Sequence, residues 1–137
     1  MKNKFIVFIA TAMVFSLSAC DNKDDDTPDP SYDATITIIE PDEGMVMNSC
    51  DELHIEVDVE VAGTIHNVEV LVLNETTGDT ILYYKDMPHT QNLFQYHDHV
   101  DPIVTEISNC IVRASSWGMD ETALDADSKT VHFTINP

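Results

Sequence analysis

Two histidines flank an aspartate in the stretch "FQYHDHVDP", residues 94–102 of a 137-residue chain. Neutral imidazole is a ligand for zinc and for copper(II). If Phe94 and Tyr96 point into a core, strand alternation turns His97 and His99 outward together, with Cα atoms about 6.5–7 Å apart. Two imidazoles at that spacing can converge on one ion. A third candidate, His54, lies in "LHIEVDVEV" (53–61). There the alternation sends Leu53, Ile55, Val57, Val59 and Val61 one way and His54, Glu56, Asp58 and Glu60 the other. If the two segments pair antiparallel, the start of one lies beside the end of the other, and His54 joins the pair. Glu56 and Asp98 are candidate oxygen donors, Asp98 only if the strand stops there, because its parity points it inward. Binding through neutral imidazole would weaken in acid. The competing interpretation is a set of ordinary surface histidines among acids.

Two other constellations carry less. Asp120, Glu121, Asp125 and Asp127 offer oxygen ligands, but their spacing does not match the twelve-residue calcium loop with its central glycine. A solvated acidic loop is the expectation there. Met87 and His89 in "KDMPHTQ", with Met45 and Met47 elsewhere, offer soft ligands that suit copper. No M-x-x-M repeat supports them, so they are expected to be partly buried loop anchors. Catalytic signatures are missing: the chain has no G-x-S-x-G, C-x-x-C or H-E-x-x-H and no glycine-rich phosphate loop. An enzyme is not expected.

These side chains must be positioned by strands. Period-two alternation recurs in "ATITII", "LHIEVDVEV", "HNVEVLVLN", "TILYYKD", "NLFQYH", "EISNCIVRAS" and "TVHFTI", and no stretch holds a helical apolar period. A turn is expected at Ala62-Gly63-Thr64. Seven short strands about ten residues apart resemble an immunoglobulin-like or fibronectin-III-like sandwich. The fold class is therefore all-β, with about seven antiparallel strands over residues 34–137. That architecture places strands one, two and five in one sheet and four, three, six and seven in the other. The expected core is Ile36, Ile38, Leu53, Ile55, Val57, Val59, Val68, Val70, Val72, Phe94, Tyr96, Cys110, Val112, Val131, Phe133 and Ile135. The longest connection, "SSWGMDETALDADSK", joins strands six and seven, where binding residues often sit.

Ahead of this domain, Lys2 and Lys4 precede an apolar run from Phe5 to Leu17 that is short for a membrane span. The ending Leu17-Ser18-Ala19-Cys20 resembles the lipobox of bacterial lipoproteins. That resemblance implies a signal peptide over 1–19 and lipid on Cys20. Residues 20–33, "DNKDDDTPDPSYD" after the cysteine, have no apolar periodicity and are expected to be a disordered tether, about 50 Å at full stretch. The Lys23-Asp24-Asp25-Asp26 cluster resembles the acidic export signal of Bacteroidetes-type surface lipoproteins. It implies the outer membrane, facing the cell exterior. Asp21 would imply retention at the inner membrane in enteric-type sorting, so the periplasmic side is the alternative.

Beyond residue 19 the chain carries 25 acidic side chains against Lys23, Lys85, Arg113 and Lys129, a net charge of −21. Nucleic acid is excluded as a partner on that sign. With lipid on Cys20, Cys50 and Cys110 remain as an even pair in an oxidising compartment. A bridge between them would close a loop of about sixty residues worth roughly 4 kcal/mol in the chain-entropy model, provided their Cα atoms come within about 7 Å. The functional expectation is a non-catalytic, lipid-anchored envelope module for binding or adhesion to an envelope protein or glycan. It would carry a divalent metal on His54, His97 and His99. The alternative is a small lipoprotein that captures zinc or copper at the outer envelope.

Overall fold

A computed structural model describes residues 32–137. The expected signal peptide, Cys20 and the tether up to Ser31 lie outside the described residues. Eight strands follow: β1 (Ala34–Glu40), β2 (Met45–Asn48), β3 (Leu53–Ile65), β4 (Asn67–Asn74), β5 (Asp79–Asp86), β6 (Thr90–Val100), β7 (Ser108–Trp117) and β8 (Asp127–Asn136). They form a three-stranded sheet, β1-β3-β6, and a five-stranded sheet, β2-β8-β7-β4-β5. All seven expected segments are strands, and each lies in its expected sheet. The architecture is an immunoglobulin-like, fibronectin-III-type sandwich.

Alternation drives this arrangement. On β3, Leu53, Ile55, Val57 and Val59 are sealed while the residues between them reach solvent. They face Val68, Val70 and Val72 of β4, Val112 and Ala114 of β7 and Phe133 and Ile135 of β8 in one apolar cluster. Ile36, Ile38 and Phe94 pack on its margin. Val131 is buried as expected.

The structure corrects the sequence expectation in three places. The eighth strand, β2, was expected to be loop. It runs parallel to β8, with Met45 opposite Phe133 and Met47 opposite Ile135. Four residues are too few to show a period, and methionine is not a marked strand former. Met47 is therefore core, and Met45 packs against it, far from a role as a free thioether. The second correction concerns Ala62-Gly63-Thr64, which continues β3 through a register shift between Glu60 and Thr64. Gly63 takes a φ of 150° there. The chain changes sheets one step later, at His66, between the sealed Ile65 and Val68.

The third concerns the expected bridge. Cys50 and Cys110 are both free thiols. Cys110 is level with Phe133 and, across β8, with Met45. Asn48 at the end of β2 is already three residues, roughly 10 Å, past that level, and Cys50 lies beyond it. Its left-handed backbone (φ 68°) is held by the Cys50 amide donating to the Pro102 carbonyl at 2.9 Å. Strand offset therefore exceeds what a disulfide spans. Burial, seconded by Glu75, pushes the Cys110 thiol up to about 11.

The chain enters at one end of the sandwich. The Tyr32 hydroxyl bonds Ser116 Oγ at 2.6 Å, and the Ala34 amide donates to Asp127 at 2.7 Å. Ala34 pairs with Val61, which is seven residues along β3 from His54, about 23 Å. The β7–β8 connection shares the entry end, and the start of β3 marks the opposite one.

Candidate functional site

The outer face of the three-stranded sheet gathers the histidines. β3 and β6 pair antiparallel with His54 opposite His99 and Glu56 opposite His97. The His54 ring stands 6.1 Å from that of His97 and 6.3 Å from that of His99. All three side chains are exposed. The expected juxtaposition therefore holds, but its centre moves. His54, which had been the helper of a same-strand pair, is the ring that approaches both others.

β6 runs on to Val100, so Asp98 keeps its inward parity opposite Ile55. Its carboxylate accepts from the Tyr96 hydroxyl at 3.0 Å and from the His99 amide at 2.8 Å. Asp98 is thereby removed from the outer face. Desolvation, then the Asp98 carboxylate, lifts the Tyr96 phenol well above its ordinary range.

Two carboxylates that sequence reasoning missed complete the surroundings. Glu52 Oε1 is 2.6 Å from His54 Nε2, and Glu40 Oε2 is 3.9 Å from His54 Nδ1. Glu52 was legible: it sits two residues before His54, on the same parity. Glu40 was not, because it reaches this face through a bulge. Ile38 pairs with Val57 and Glu40 with Glu56, so Ile39 is skipped. A bulge re-aims the residue that follows it. The only trace in the sequence is the broken alternation at Ile38-Ile39.

Among the described residues no three histidine, cysteine or acidic groups already converge on an ion. The movement needed is small. A tetrahedral zinc with bonds of about 2 Å brings two ring centroids to roughly 5 Å, about 1 Å closer than His54 and His97 stand. Rotation between staggered rotamers of exposed side chains covers that distance. The surrounding carboxylates raise the local concentration of cations.

The other candidates fall elsewhere. In the β7–β8 connection, Glu121 accepts from the Gly118 amide and Asp125 from the Thr122 amide and hydroxyl. Asp127 holds Ala34. Glu121 and Asp125 thus bind their own loop, and Asp127 ties it to β1. Met87 is exposed, and the His89 ring meets that of His66 edge-on at 5.4 Å. Beside His66 an open cleft of about 600 Å³ runs between Tyr32, Val61 and Glu121 at the entry end.

No protein-family model matches the chain, and no curated protein does. Solved structures that resemble it include fibronectin(III)-like modules of CbhA from Clostridium thermocellum, at 13% identity and a TM-score of 0.48, covering 74% of this chain and 96% of that one. A CARDB domain from Pyrococcus furiosus, solved in complex with di-metal ions, gives 12% and 0.49 over 77% of this chain and 94% of that one. A β-glucosidase from Listeria innocua in complex with glucose gives 12% and 0.47; the match covers 77% of this chain and 16% of the enzyme. Strand order carries the fold assignment independently of these likenesses.

Proposed function

We propose that this chain is a non-catalytic, lipid-anchored module of the outer envelope that presents the β3–β6 face to the cell exterior and binds a divalent metal there. Of the two interpretations, adhesion to an envelope protein or glycan and capture of zinc or copper, one observation favours the metal. Three imidazoles from two strands meet on one exposed face, with His54 within about 6 Å of the other two rings. The face lies toward the end of the sandwich opposite the chain's entry. A lipid on Cys20, joined to the domain at its entry end, would leave this face away from the membrane.

Calorimetry decides the metal part. Zinc or copper(II) titrated into the purified chain should bind at micromolar concentration or tighter, and binding should disappear when His97 and His99 both become alanine. Equal affinity in wild type and double variant would reject the site. The anchor is tested separately, by fractionating cells that carry Cys20→Ala. The variant should leave the membrane fraction, and an unchanged distribution would remove the lipid from the proposal.

A further inference from the structure

The metal face contains a row that crosses all three strands. Glu40 on β1 pairs with Glu56 on β3, and Glu56 pairs with His97 on β6. His54 stands two residues before Glu56 on the same strand and the same face. The β1 register ends at Glu40, so His54 and His99 form the next row without a β1 partner.

Resting on the metal reading above, we infer that the ion sits over Glu56 and is held by His54 Nδ1, Glu40 and His97. Glu52 acts as an outer carboxylate, and His99 stands outside the set. Glu52 decides which nitrogen is available. A carboxylate only accepts, so the His54 Nε2 that touches Glu52 Oε1 at 2.6 Å carries the hydrogen. In the neutral ring, the form that binds metal, the lone pair is then on Nδ1.

That nitrogen is 3.9 Å from Glu40 Oε2. Two ligand atoms on a tetrahedral zinc at about 2 Å stand roughly 3.3 Å apart, so a total closure of about 0.6 Å suffices. From the far side of Glu56, His97 supplies the second nitrogen. Glu56, half-buried beneath them, is the remaining oxygen donor. Two imidazoles with carboxylates are a ligand set that zinc takes. The carboxylate behind a ligating histidine fixes its tautomer and raises its basicity. Glu52 is a positioning residue in that sense.

The test uses the full chain in detergent, with zinc followed by calorimetry and by long-range proton–nitrogen NMR of the imidazoles. Without metal, the His54 spectrum should show hydrogen on Nε2, and zinc should shift the Nδ1 resonance. Glu40→Gln should weaken zinc at least tenfold. Glu52→Gln should weaken it by about 10–100-fold and mix the two His54 tautomers, a change that mere loss of surface charge would not produce. His99→Ala should stay within about threefold of wild type, the scale of ordinary context effects in a carboxylate-rich field. If zinc binds the wild type but Glu40→Gln keeps full affinity, or His99→Ala loses as much as His97→Ala, the assignment of ligands is overturned while the metal site stands. Failure of the wild-type chain to bind zinc would overturn both.

Discussion

His54→Ala should abolish zinc binding by itself, matching the loss from His97 and His99 together. The reason lies in the pairing of β3 with β6. With His54 and His97 as the two nitrogen ligands, their ring centroids 6.1 Å apart, removing His54 leaves one imidazole among carboxylates. The side chain is exposed and belongs to no core contact, so folding should be unaffected; surface changes of this kind stay within about 0.5 kcal/mol. Calorimetric titration alongside a melting curve separates the two effects. Zinc affinity within threefold of wild type in His54→Ala would show that the β6 pair binds alone and that His54 is a bystander.

Ile55→Ala should lower the free energy of unfolding by about 2–5 kcal/mol, the range for deleting a buried isoleucine side chain down to its β-carbon. Ile55 is fully sealed on the central strand of the three-stranded sheet and belongs to the cluster shared with the facing sheet. Whole domains are stable by only about 5–15 kcal/mol, so this one change removes a large share. Val46→Ala, on the exposed face of edge strand β2 (64% exposed), is the control and should shift stability by about 0.5 kcal/mol or less. Urea denaturation of the three proteins compares them directly. A loss below about 1 kcal/mol at Ile55 would mean that the two sheets are not packed across this residue.

The charge of the described domain bears on both experiments. Glu40, Glu52 and Glu56 surround His54 on one face, and unlike a buried network they are screened by solvent and salt. Zinc affinity measured at low ionic strength will therefore exceed that at physiological salt.

The sequence by itself determined the strands and the faces of their side chains. A strict period of two leaves little choice once one side of a strand must avoid water, and burial of Leu53 through Val59 carries His54, Glu56 and Asp58 outward with it. The same logic assigned His97 and His99 to one face and Asp98 to the other. Sheet membership followed from the known order of such sandwiches, and with it came the meeting of His54 with the β6 histidines.

Tertiary structure decided everything that depends on register, offset or a broken period. Which histidine stands at the centre follows from His54 lying opposite His99 and diagonal to His97, and alternation within one strand contains no such information. The arrival of Glu40 depends on a bulge, whose energy is set by the neighbouring strand. β2 exists because β8 offers it a free edge, although Met45–Asn48 shows no period of its own. Cys50 and Cys110 stay apart because their positions along the sandwich differ, a distance that sequence separation does not encode. Local patterns report which way a residue faces, and only the packed sheets determine what it faces.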